Sequence, residues 1–208
     1  MVEIAADRAF ADAFAPEDEA IDAAREAAHQ FGIDTVSPAV GAALALAAAS
    51  GPASSIIEIG TGTGVSGLWL LRGAPEAVLT SIDVDLDLHQ VARTMFQAAG
   101  HPARRVRLIT GSAADVLPRM NEEAYDLVLV DAGWSSVLDD VERALRLARP
   151  GGSVLVPRVL QGGRTADPVR RDPETTAYRT LLRAARERTD VVTGLSIVGD
   201  GLLHLVRR

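Results

Sequence analysis

Glu58-Ile59-Gly60-Thr61-Gly62-Thr63-Gly64 sets three glycines at alternate positions behind a carboxylate. Glycines so spaced let a backbone turn sharply and approach a ligand with no Cβ in the way. Further along, Ser81-Ile82-Asp83-Val84-Asp85 carries a second acid, Asp83, whose carboxylate can accept both hydroxyls of a ribose. Asp85 and Asp87 suit helix capping, with Asp87 the favoured cap. Gly111-Ser112-Ala113 leaves room for a flat ring, although an ordinary strand-to-helix turn has the same composition. Two kinds of nucleoside cofactor fit these residues. Gly62, Gly64 and Gly67 satisfy G-x-G-x-x-G, with Asp83 at the separation of the ribose acid in dinucleotide folds, which would suit a nicotinamide oxidoreductase. Glu58 favours the other kind. A carboxylate just ahead of the first glycine repels a pyrophosphate and welcomes an ammonium group.

The elements around these residues alternate. Short apolar strands are predicted at 55–59, 78–82, 105–109, 127–130 and 153–156. Helices are predicted at 65–72, 86–99 and 137–148, with a helical turn near 114–120. Strands alternating with helices imply βαβ units and a mostly parallel sheet, and unbroken aliphatic strands imply that both faces are covered. The glycine loop then falls at the carboxyl end of the first strand, where open α/β sheets bind ligands. Ahead of the sheet, an acidic amphipathic helix over 17–31 starts at Pro16 and stops at Gly32. A second helix over 39–50 has Ser37 as cap and Pro38 at its first position, and Gly51-Pro52 closes it. Behind the sheet, 158–173 reads as a long loop and 174–188 as a basic helix. Two last strands around Gly199-Asp200-Gly201 form an antiparallel hairpin, leaving no room for a separate catalytic domain. The expectation is one α/β domain, 1–208, with a Rossmann-like seven-stranded sheet, an antiparallel C-terminal strand and helices on both faces. Residues 1–50 form a helical cap and 53–208 the cofactor-binding core.

The composition excludes several chemistries. Among 208 residues there is no cysteine, so disulfides, thiolate zinc sites, iron–sulfur clusters and a thiol nucleophile are ruled out. The net charge of −7 sits in residues 1–36, where nine acids face two arginines; the rest of the chain carries nineteen charges of each sign. A broad basic face for nucleic acid is therefore not expected. Neither a secretory leader nor a membrane span is apparent, which points to a cytoplasmic protein. His29, His89, His101 and His204 belong to no catalytic or metal-spaced cluster.

Glu58 to Gly64, Asp83, Gly111 to Ala113, Val130-Asp131-Ala132 and the terminal hairpin together resemble the class I S-adenosylmethionine-dependent methyltransferases. More narrowly, the chain is similar to the small O-methyltransferases of the catechol and caffeoyl-CoA type. Thr35-Val36-Ser37-Pro38-Ala39-Val40-Gly41, Gly162-Gly163-Arg164-Thr165-Ala166-Asp167-Pro168 and Val198-Gly199-Asp200-Gly201-Leu202 match flanking segments of that family. The resemblance implies methyl transfer from S-adenosylmethionine to a small acceptor, in a homodimer. It implies that Glu58 and the glycine loop, with Gly60, Thr61, Gly62 and Gly64, hold the methionine part, Asp83 the ribose, and Ser112 and Ala113 the adenine. Asp131 would sit where the methyl is passed, and Val36, Ser66 and Val84 would also bind the cofactor.

The family also implies a divalent cation held by an aspartate after the fourth strand and an Asp-Asn pair after the fifth. Asp131 fills the first place, but Pro157 and Arg158 fall on the pair, and Trp134 replaces the lysine of the family. Arg158 can pair with Asp131 and partly replace the missing metal charge. The expectation is a metal-independent O-methyltransferase with Asp131 and Arg158 as catalytic residues. The alternatives are a cofactor-binding but inactive regulator and an NAD(P)-dependent oxidoreductase. Trp134 either lines the acceptor pocket or packs, and Arg170 and Arg171 are candidates for binding an anionic acceptor.

Overall fold

Strands β1 (Ser55–Ile59), β2 (Val78–Asp83), β3 (Val106–Thr110), β4 (Tyr125–Val130) and β5 (Ala148–Pro157) are joined through helices and so run parallel. The structure, a computed structural model, describes residues 2–51 and 53–208. Pro52, read above as closing a helix, and Met1 lie outside the described residues. Strands β6 (Val191–Ser196) and β7 (Leu202–Arg207) complete a seven-stranded sheet in the order β3-β2-β1-β4-β5-β7-β6. Strand β7 is antiparallel to both β5 and β6, so it alone runs against the rest, as expected. The chain leaves β1 toward β2 and β3, then returns to β4 on the other side of β1. The crevice at this reversal lies at the carboxyl ends of β1 and β4, where the glycine loop and Asp131 emerge.

The two sheet faces bury separate apolar layers. On one side α3 (Pro38–Ser50), α4 (Val65–Gly73) and α5 (Leu86–Ala98) contribute Leu44, Trp69, Leu70 and Phe96. On the other, beyond the one-turn α6 (Ala113–Val116), α7 (Val137–Leu147) and α8 (Pro173–Glu187) contribute Val141, Leu145, Tyr178 and Leu181 around Val128 and Val154. Helices α3 and α4 meet closely because Gly41 lacks a side chain: a Cβ there would lie 2.3 Å from the Trp69 indole. No helix among the described residues is long and apolar enough to cross a membrane.

The helical cap departs from the expectation in its details. A helix over Val2–Phe14, α1, precedes the two predicted ones. Helix α2 runs over Glu19–Phe31 and is capped by Asp18, whose carboxylate accepts from the Ala20 and Ile21 amides; Pro16 does not start it. Gly32 closes it in the left-handed region, as predicted. Ser37 does sit at the cap of α3, but its side chain makes no capping bond. Asp12 of α1 supplies the acceptor instead, 3.0 Å from the Ala39 amide, and so fastens α1 to α3. Asp85, not Asp87, caps α5, because the chain leaving β2 turns its carboxylate onto the Asp87 and Leu88 amides. The loop after β5 contains a kinked 3-10 turn over Gln161–Ala166.

Candidate active site

The glycine loop leaves β1 at Gly60, whose φ of +98° and whose contact with β4 both demand glycine: a Cβ would stand 2.4 Å from the Asp131 carbonyl. The next turn is tied to β2. The Gly62 amide donates to Asp83 Oδ2 at 2.9 Å, and the Asp85 amide to Oδ1 at 3.0 Å. Each oxygen keeps lone pairs for further donors, so the Asp83 carboxylate is held rigidly with acceptor capacity left toward the cleft.

The cleft has two lobes that share Gly60, Asp83 and Asp131. The smaller, about 170 Å³, runs between the 33–36 segment and the glycine loop; Val36, Thr61, Gly62 and Ser66 line it, with Arg158 at its end. The larger, about 350 Å³, lies beyond Asp83, between Val84, Ser112-Ala113 and the loop after β4, with Asp140 at its base. A third cavity of about 680 Å³ opens on the other side of Val36 and Arg158. Its walls are α1, the start of α3 and the 196–200 hairpin. Val36, Asp34, Thr35 and Arg158 line both it and the smaller lobe, so the two spaces meet there.

Most of the expected cofactor residues gather around the two lobes. Two do not line them. Gly64 sits under the loop as the cap of α4, facing Phe96. Glu58 is fully buried beneath the loop, and the expectation that its carboxylate faces a ligand ammonium is corrected. It accepts from Ser66 Oγ at 2.6 Å and Ser81 Oγ at 2.5 Å. With its proton committed to Glu58, Ser81 accepts from Thr61, 2.6 Å away. Thr61 in turn lies 3.1 Å from His89 Nε2, and His89 Nδ1 lies 2.9 Å from Thr110 Oγ1. This network assigns the Nε2–H tautomer to His89. Burial pushes the Glu58 carboxyl up to about 7, against the two hydroxyl bonds and with added repulsion from Asp131 and Asp83. Burial also lowers the pKa of His89, a satisfied core histidine bonded through both nitrogens.

Asp131 and Arg158, expected to pair, form an ion pair. Burial raises the Asp131 carboxyl to about 6, while the charge and hydrogen bond of Arg158 restrain the rise. Arg158 follows Pro157 with φ +61°, a conformation costing a side-chain-bearing residue about 1 kcal/mol or more. Its Nη1 also reaches the Asp34 carbonyl at 3.4 Å, linking the end of β5 to the segment above the cleft. Among the described residues, no group of three His, Asp or Glu side chains is arranged to hold a metal ion. The family's cation does not fit this donor set, because Pro157 offers no side-chain donor and Arg158 brings its own positive charge to Asp131.

Other candidates lie apart. Trp134, partly exposed, lines none of these three spaces. Arg171 donates to the carbonyls of Pro168 and Arg170, and Arg170 faces Asp167 at 3.9 Å, so both arginines hold their own loop. Two further contributors line these spaces. The Ser196–Asp200 turn forms a wall of the third cavity. Asp140 is buried at the base of the larger lobe, and its signal was an acid on the apolar 137-141-144 face of a helix.

The O-methyltransferase family profile matches residues 15–208. A protein of Mycobacterium avium (strain 104), whose name places it provisionally among O-methyltransferases, is 44% identical over 200 residues, covering 96% of this chain and 90% of that one. The solved O-methyltransferase TomG of Streptomyces achromogenes, involved in tomaymycin synthesis and bound to S-adenosylmethionine, superposes with a TM-score of 0.85. It is 31% identical over 98% of this chain and 96% of its own. An O-methyltransferase of Bacillus cereus in complex with S-adenosylhomocysteine superposes at 0.86, with 25% identity over the whole of both chains.

Proposed function

The chain belongs to the O-methyltransferase family, and from that premise we propose that it transfers a methyl group from S-adenosylmethionine to an oxygen of a small, acidic acceptor without a metal ion. The observation that carries this reading is the Asp131–Arg158 ion pair, set where the glycine-loop lobe meets the 680 Å³ cavity. When bound, S-adenosylmethionine supplies an electrophilic methyl group on a sulfonium, leaving S-adenosylhomocysteine and a methyl ether or ester. Such a transfer needs no covalent enzyme intermediate, so the protein's work is alignment and charge placement.

The residues divide that work. Asp83 accepts the ribose hydroxyls, with Gly62 and Asp85 fixing its direction. Val84, Ser112 and Ala113 enclose the adenine. The backbone of Gly60 to Gly62, with Val36 opposite, borders the methionine part. Arg158 offers guanidinium donors to an ionised acceptor oxygen entering from the large cavity, the role a cation plays in the metal-dependent relatives. Asp131, with a carboxyl near 6, is ionised at neutral pH; it favours positive charge nearby and can take a proton from an acidic acceptor. Val36, Val40, Pro157, Ile197 and Val198 give the cavity mainly apolar walls, which suit an aromatic or aliphatic acid or phenol.

Turnover of labelled S-adenosylmethionine over a panel of phenols, aryl acids and catechols tests the proposal. Acidic phenols and acids are expected to accept methyl in the presence of chelator, with plain catechol poor. Activity abolished by chelator and restored by magnesium would overturn it. Binding of S-adenosylhomocysteine with no turnover on any acceptor would favour a regulator that only binds the cofactor.

A further inference from the structure

The larger lobe ends on a carboxylate that the proposed chemistry leaves unused. Asp140 lies in the first turn of α7 and is 1% exposed, yet it borders the space enclosed by Val84, Ser112 and Ala113. A carboxylate has room for about four hydrogen bonds. Among the described residues, the one side-chain bond made to this carboxylate comes from Ser136 Oγ, 2.7 Å from Oδ2. Ser112, on the opposite wall, is turned away, since its hydroxyl is engaged with Asp115. Burial holds the Asp140 carboxyl above the ordinary carboxylate range, Asp139 adds repulsion, and Ser136 and Arg143 offset part of the rise. Among these residues Oδ1 has no protein donor, and it is not sealed from the lobe, so it is left for solvent or a ligand donor to complete.

Resting on the cofactor assignment above, we propose that Asp140 accepts the exocyclic amine of the cofactor's purine and so selects a 6-amino purine over a 6-oxo one. An adenine placed beyond the ribose-binding Asp83 enters the lobe that Asp140 closes, and its amine is the ring's one strong donor. A 6-oxo purine would instead set a carbonyl oxygen against the carboxylate, leaving two acceptors facing each other with no proton between them.

The test is binding, not turnover. Calorimetry compares S-adenosylhomocysteine with S-inosylhomocysteine, which differs by amine against oxo, on the wild-type protein and on Asp140→Asn. The wild type is expected to prefer the adenosyl ligand by about tenfold to a hundredfold, the range of one hydrogen bond to a charged group. Asp140→Asn, whose amide can donate as well as accept, is expected to bring the two affinities within about threefold. Equal affinities in the wild type, or a preference untouched by Asp140→Asn, would overturn the assignment and give the discrimination to backbone carbonyls. Failure of S-adenosylhomocysteine to bind the wild type at all would overturn the cofactor assignment, and this inference with it. Should the variant not fold, the wild type still decides. The proton resonance of a ¹⁵N-labelled exocyclic amine is expected to move downfield on binding, and an unshifted resonance would refute the contact.

Discussion

Replacing Glu58 by glutamine removes a buried charge while keeping its shape, and its effect on stability should grow with pH. The carboxyl titrates at 4.5 in an unfolded chain and at about 7 beneath the glycine loop. Below pH 4.5 both states hold the proton and the folded state carries no penalty. Between 4.5 and 7 the unfolded chain releases its proton first, so native stability falls as pH rises. Above 7 the folded protein carries an ionised, fully buried carboxylate at a cost on the order of 3 kcal/mol. The amide introduced by Glu58→Gln is neutral throughout and escapes this cost, whatever constant offset its exchanged bonds to Ser66 and Ser81 introduce. Urea unfolding at a series of pH values, followed by circular dichroism, reads the difference between the two proteins directly. That difference should move in favour of Glu58→Gln by about 2–3 kcal/mol between pH 5 and pH 8, then level off. Subtracting the two proteins cancels the other titrating groups, including the histidines whose burial opposes this trend. A pH-independent difference, or one favouring the wild type as pH rises, would refute the burial argument.

Four further outcomes are expected. Asp83→Ala should weaken S-adenosylhomocysteine by about 1.5–3 kcal/mol in calorimetry, and unchanged affinity would remove the ribose assignment. Arg158→Met strips the charge and hydrogen bond that restrain Asp131, so the Asp131 ¹³C carboxyl titration should move from about 6 to higher pH; an unmoved midpoint would mean that the ion pair is not formed in solution. Gly60→Ala must force a Cβ into the Asp131 carbonyl and hold a positive φ, and a loss of about 2–4 kcal/mol by urea unfolding is expected; a loss under about 1 kcal/mol would contradict the packing of that turn. A homodimeric mass by light scattering at micromolar concentration is expected from the family resemblance and from Phe10, Phe14 and Leu46, which stand exposed on α1 and α3; a monomeric mass would count against it.

The frame of the site was legible because its signals are local. Aliphatic strands of four or five residues followed by spaced glycines have few alternative readings, and Asp83 follows from the same pattern. The meeting of Asp131 and Arg158 was legible only by matching motifs that lie far apart along the chain. What escaped was decided by tertiary geometry. Glu58 lies on a strand whose residues are buried on both faces, and sequence does not say that Ser66 and Ser81 draw its carboxylate inward rather than to the ligand. Asp85 and Asp87 are both competent caps, and the choice between them rests on Asp83 holding the Asp85 amide. Asp12 caps a helix that begins 26 residues later, beyond any pattern of neighbours. Helix α1 is rich in alanine and turns both of its phenylalanines outward, so burial does not mark it.

The larger lobe is lined wholly by one stretch, Ile59 through Asp140, whereas the walls of the large cavity also need the early residues Asp7–Asp12 and the late residues Ser196–Asp200. During synthesis every residue lining the larger lobe has therefore been added before the last strands are made. The opposite wall must wait until both extremities of the sequence meet across the sheet, a contact of high sequence separation that forms slowly. On the proposed reading, changes in α1 or in the hairpin turn would reshape the acceptor space while leaving the lining of the larger lobe as it is.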